Sequence, residues 1–387
     1  MQVPGPAEQT TDPRWVPPEG DSALRRFFLP MMRDERDLIF VQRASLFSIT
    51  VVPAGVGMFL LPSWAVALLA VPYLATVFLY WGGRYTLMLH AICHRPLFHS
   101  RHALWNRWIP WLLGPFMGHT PAAFYVHHIG MHHPENNLPA DLSCTLPYKR
   151  DDLGHWLHYW ARFFWFGYLH LPRYLLLRKR WKLLRWLVSS ELSWGVGVAA
   201  LLWLNWPAAL VVFVLPYCIM RVAMMCGNFA QHAFVDVEDP DNAYRNSTCI
   251  TNSRYNHLCY NDGYHIVHHL KPSLHWSELA QWYDDNRAEF AKNDAIVFDG
   301  IQNNQQIWFL LMTRNYRRLA ENMVDFCGRS VEERIAMLKE RVHRRRYPIR
   351  GLLQREQPHE VQLARRARGA LGALGALGTP CAAESDG

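Results

Sequence analysis

Paired cysteines are missing. The eight cysteines (Cys93, Cys144, Cys218, Cys226, Cys249, Cys259, Cys327 and Cys381) form no Cys-x-x-Cys pair. That disfavours a thiolate zinc site, an iron–sulfur cradle and a disulfide framework, and reduced thiols facing the cytosol are expected. No Glu-x-x-His pair occurs in the histidine clusters described below, which sets aside the carboxylate-bridged di-iron bundle. A His-Pro-Gly-Gly haem-binding segment and a flavin fingerprint are also lacking, so any electrons must come from a separate protein. The first 37 residues have no early apolar core and carry seven acids beside five basic residues, unlike a secretory signal or a transit peptide. They read as a cytosolic arm, with the first apolar span acting as the insertion signal.

Charge is scarce in four stretches: Leu46 to Pro62, Ser63 to Leu89, Leu183 to Trp206 and Pro207 to Asn228. At about 1.5 Å per residue each is long enough, or nearly so, to cross roughly 30 Å of hydrocarbon. Pro62-Ser63 and Asn205-Trp206-Pro207 break them into two pairs, which predicts two membrane hairpins. Leu104 to Phe124, interrupted by four helix-breaking residues (Pro110, Gly114, Pro115 and Pro121), reads as re-entrant or interfacial. Trp156 to Leu177 reads as a helix lying in the interface plane.

What the chain has in quantity fits that setting. Half of its 387 residues are hydrophobic, with 17 Trp, 16 Tyr and 19 Phe, and Trp and Tyr favour membrane interfaces. The net charge of +8 comes without any nucleic-acid motif, so an anionic membrane surface is the expected partner and nucleic acid is not. Nine Lys or Arg against two Asp between Pro147 and Arg185 predict a cytosolic segment.

Three histidine clusters carry the chemistry: His90-Ala-Ile-Cys-His94, His127-His128-Ile-Gly-Met-His132-His133 and His265-Ile-Val-His268-His269. Spacings of three and four residues stack imidazoles on one helix face. Asn228-Phe-Ala-Gln-His232 lies between the second and third clusters. Imidazole suits iron, zinc and copper, and so many candidates suit two ions. Iron, unlike zinc, supports dioxygen chemistry. A lone histidine is more often hydrogen-bonded than ligating, so His99, His102, His119, His155, His158, His170, His257, His343 and His359 are set aside. Asp262, Glu135 and His275 lie near the clusters and are candidate outer partners, since ligating imidazoles donate their second N–H to such groups.

The boxes at 90–94, 127–133 and 265–269 resemble, in order and spacing, those of the membrane fatty acid desaturase and hydroxylase superfamily, over about residues 40 to 300. The resemblance implies an all-α membrane protein, with four transmembrane helices in two hairpins and a cytosolic helical cap carrying a di-metal site. It implies two irons (Fe2+/Fe3+) held by His90, His94, His128, His132, His133, His232, His265, His268 and His269. Asn228 would make a water-mediated contact, and His127 competes with His128 for one role, with His128 favoured by spacing. Dioxygen would be the co-substrate and cytochrome b5 or ferredoxin the external donor. The implied activity is fatty acyl desaturation of a membrane lipid or acyl-CoA. Hydroxylation on the same site is the alternative, and a non-enzymatic metal-binding membrane protein the more distant one. The endoplasmic reticulum and a bacterial inner membrane both fit, with the metal site facing the cytosol. The expected organisation is an N-terminal disordered or interfacial arm (1–40), the membrane domain (41–300), a cytosolic helical extension (301–347) and a disordered basic tail (348–387).

Overall fold

The computed structural model describes residues 9–17 and 20–344. The tail expected at 348–387 lies outside the described residues. The chain is mostly helical. Helix α1 (Leu38–Met58), extended by a short turn from Glu35, and helix α2 (Ser63–His94) meet at Pro62. Helix α3 (Leu153–Leu177) precedes α4 (Trp181–Leu204) and α5 (Trp206–Gln231). Four of these, α1, α2, α4 and α5, are long and apolar enough to cross a membrane.

Their faces divide as a bilayer setting requires. Phe47, Trp81, Tyr85, Met88 and Met117 are buried together where the helices meet. Leu60, Trp64, Leu68, Val71, Leu79, Val196, Trp203 and Leu204 are exposed, an apolar surface that suits lipid and not water. The α4–α5 turn is fixed by Asn205, whose side chain accepts from Ala208 N at 3.2 Å and donates to Phe59 O at 3.3 Å. Gly118 stands in the left-handed region at φ +76°, and a Cβ there would collide with the Pro216 backbone, so this loop lies directly on α5.

The all-helical expectation needs one correction. Strands β1 (Thr248–Thr251) and β2 (Ile296–Asp299) pair in parallel, Thr248 opposite Ile296. The Thr-Cys-Ile-Thr of β1 is fully buried, which hides the alternating pattern by which a half-buried strand is read from sequence. Helix α6 (His265–Leu270) packs beside this pair.

The N-terminal arm also departs from expectation. Residues 9–17 are fastened to the region of the third box. The Asp12 carboxylate accepts from Asn252 N at 2.7 Å, Ser253 N at 3.1 Å and Tyr264 Oη at 2.6 Å. Thr10 and Arg14 both reach Asp284. Few apolar residues are involved, so composition alone read as disorder.

Candidate metal centre

Each box reaches the centre by its own backbone route. His90 and His94 are four apart on the last turns of α2, so they point the same way. The second box sits where a short helix, Ala123–His127, widens into a π-helical turn, His128–His132. That widening changes which residues are neighbours. The sequence suggested that His128 and His132 converge on one point. Instead His128 joins His133, five residues on, and His132 turns to the other side. π-Bulges recur at functional sites for this reason. The third box divides too. His265 and His269 share one face of α6, and His268 faces the opposite group.

The result is two adjoining clusters. His90, His94, His128, His133 and His268 form one, and His132, His232, His265 and His269 the other, with the candidate ligand atoms of each within 4.8 Å of one another. In the first, Nε2 atoms approach at 2.9 Å (His94–His128), 3.0 Å (His128–His133), 2.9 Å (His133–His268) and 3.0 Å (His90–His268). In the second, His265 Nε2 lies 3.0 Å from His269 Nε2 and 3.3 Å from His232 Nε2.

Hydrogen bonding alone accounts poorly for this. His90 Nδ1 is 2.9 Å from the Asp262 carboxylate and His132 Nδ1 is 2.6 Å from Asp141. His232 Nδ1 is 2.9 Å from Asn246 Oδ1. In a neutral ring such a contact takes up the single N–H and leaves the Nε2 lone pair facing inward. Lone pairs facing one another repel unless a cation lies between them. At a metal–nitrogen distance of about 2.1 Å, ligands at right angles stand ~3.0 Å apart, whereas tetrahedral ones stand ~3.4 Å apart. The 2.9–3.0 Å edges and the five-membered set both fit more than four-fold coordination.

Burial favours the neutral form of several of these rings. Burial, reinforced by neighbouring imidazoles, pushes His128, His265, His268 and His269 well below the usual histidine range. Burial lowers His232 to about 4. For Asp141 burial acts upward, but His132 and its hydrogen bond outweigh it and hold the carboxyl below the ordinary range. A neutral imidazole is the form that ligates a metal.

Other sequence candidates fall elsewhere. His127 is outside both clusters, stacked 6.2 Å from His132, with its Nε2 buried and unpartnered. Asn228 donates to Tyr159 Oη at 2.7 Å and Ser143 O at 3.2 Å. Asp262 supports His90, but Glu135 does not support the second box. It accepts from Tyr174 Oη at 2.6 Å and pairs with Arg178 at 3.1 Å. His275 bonds Asp37 at 3.0 Å and Ser277 at 2.8 Å, tying the stretch after the third box to the start of α1. Sequence reasoning missed Asp141 and Asn246. Asp141 is nine residues beyond His132 in a loop whose turns, held by Ser143 and Asn137, bring it back, and no helical spacing marks it.

Two cavities adjoin the centre. One of about 40 Å³ is bordered by His90, His94, His268 and Asp262. A second, of about 240 Å³, lies between α3, α4 and α5, with Phe124 and His127 at its inner wall. Phe124 stacks on His128 at 5.6 Å, so one ring separates this cavity from the clusters.

Comparison with protein families decides the class. Residues 62–300 match the fatty acid desaturase family. The chain belongs to that family. No curated protein and no solved structure matched. Membership makes this desaturase-family chain an oxidoreductase of desaturase or hydroxylase type, with a lipid acyl substrate and a membrane setting. The four apolar helices and the paired histidine clusters agree with an integral membrane protein.

Proposed function

We propose that this desaturase-family chain is an oxygen-dependent fatty acyl desaturase in which nine imidazoles hold two irons. The observation that carries the reading is the pair of adjoining clusters, whose facing imidazole nitrogens stand 2.9–3.3 Å apart. His90, His94, His128, His133 and His268 would hold one iron, and His132, His232, His265 and His269 the other. Asn228, whose amide nitrogen donates to Tyr159 Oη and Ser143 O, would hold a water near one iron through its side-chain oxygen. Bound iron would supply, with dioxygen and two external electrons, the power to oxidise an unactivated C–H bond, which side-chain acids and bases cannot do.

The chain's own residues handle the remaining tasks. Asp262, Asp141 and Asn246 orient the ligand rings. The cavity beside Phe124 excludes water and aligns the lipid chain, and the 40 Å³ space beside His90 and His268 has room for a molecule the size of dioxygen or water. Desaturation removes one hydrogen from each of two adjacent carbons. With dioxygen, two electrons and two protons it yields an alkene and two waters.

The two apolar pairs form hairpins whose metal-bearing ends face the cytosol, following the basic segment between Pro147 and Arg185. That face would meet the donor, cytochrome b5 or a ferredoxin, in the endoplasmic reticulum or a bacterial inner membrane.

Expression in yeast, followed by profiling of fatty acid methyl esters, tests the reading. New alkenes two hydrogens lighter than their precursors are expected, and they should vanish when His268 and His269 are replaced by alanine. An added oxygen in place of a double bond would assign hydroxylation instead.

A further inference from the structure

The 240 Å³ cavity is not a plain hydrocarbon slot. Its inner end is mostly apolar (Phe124, Leu142, Leu171, with His127 the polar exception), but its outer part holds Glu191 of α4 and Arg221 of α5, both on membrane-spanning candidates. Ionisable side chains at that depth are costly and require an explanation. A structural one would be a direct ion pair. Among the described residues Glu191 and Arg221 make none, and Glu191 bonds only Thr120. The Arg221 guanidinium reaches Tyr168 Oη at 3.3 Å and lies over the Tyr217, Tyr168 and Phe163 rings, with its Nε buried and unpartnered.

Depth and access add to this. Arg221 is fifteen residues from Trp206 at the head of α5, about 22 Å along the helix, which puts it inside a hydrocarbon layer of roughly 30 Å but toward its metal-side edge. The cavity is open between α3 and α4, where its lining residues Tyr168, Val188 and Leu192 are exposed. A ligand entering there comes sideways out of the bilayer. The walls offer an acceptor (Glu191) and a donor (Arg221) whose charges cancel, so a charged ligand group would be left without its counter-charge.

Resting on the desaturase reading, we infer that this cavity selects a bilayer-resident lipid carrying a neutral donor–acceptor group, a hydroxyl or an amide, at the base of its chain, which Glu191 and Arg221 recognise. A thioester of coenzyme A, highly charged and presented from water, does not fit the cavity's neutral walls and sideways opening.

The test uses the full-length chain, iron-loaded and in lipid nanodiscs, with four probes: octadecanol, octadecanamide, octadecane and stearoyl-CoA. Octadecanol or octadecanamide should bind at least about ten-fold more tightly than octadecane and stearoyl-CoA, the scale of a charge-assisted hydrogen bond, and the tighter of the two identifies hydroxyl or amide. Glu191→Gln should reduce the preference. The paired substitution Glu191→Leu with Arg221→Met, which keeps charge balanced, should abolish it while iron content stays at the level of the parent protein. Equal binding of octadecane, tightest binding of stearoyl-CoA, or a preference that survives in iron-replete Glu191→Gln protein would overturn the inference. These outcomes are separable from the fate of the desaturase reading, which depends on dioxygen-dependent product and not on probe preference.

Discussion

At the scale of single residues, second-nitrogen partners do as much to make the centre as the ligating rings. Asp141 bonds His132 while also capping Ser143 N at 2.8 Å and Asn137 N at 3.1 Å. Asp141→Ala therefore frees the ring to rotate and loosens the loop. Iron affinity, measured by competition with a chelator, should fall about ten- to a hundred-fold. Acid should act through buried neutral imidazoles. Burial lowers His119 to about 3 and His232 to about 4, whereas in the unfolded chain each titrates near 6.5. The unfolded state then binds more protons below pH 6.5, so the contribution of these groups to stability is intact above that pH. It declines as pH falls toward 4 and then 3. Thermal unfolding of the metal-free protein should show a midpoint that is flat above about pH 7 and drops steadily below 6.5. A midpoint unchanged down to pH 4.5 would contradict neutral burial of these rings.

At the scale of elements, the boxes were legible and their partition was not. Spacing marked the three boxes, which hold eight of the imidazoles that the two clusters bring together, because a metal site built on helix ends leaves i, i+3 and i, i+4 marks; His232 was reached only through the family resemblance. Spacing could not show that the second box opens into a π-turn, which sends His132 away from His128 and His133, because that turn is set by packing. The helices broken at Pro62 and Asn205 were legible from apolar runs. Strand β1 was not, being buried on both faces, and the arm at 9–17 was not, since a polar strap held by one carboxylate has no periodicity. That strap has a measurable consequence. Asp12 holds Tyr264, the residue before His265, so Asp12→Ala breaks three hydrogen bonds at the foot of α6. A loss of about 1–3 kcal/mol in stability is expected, together with faster amide exchange across 250–268, read by hydrogen-exchange mass spectrometry.

At the scale of the whole molecule, the fold brings chain segments nearly 180 residues apart, such as His90 and His268, to a single point at the ends of apolar helices. The arrangement couples two solvents. The helices keep an apolar face for lipid, and the polar loops, strands and short helices surround the histidines. We propose that those nine rings together hold two irons. Metal analysis of the purified full-length chain tests it most directly: two irons per chain are predicted, with loss of iron when His133 and His268 are replaced. One tightly held zinc per chain, or iron content indifferent to those substitutions, would contradict it.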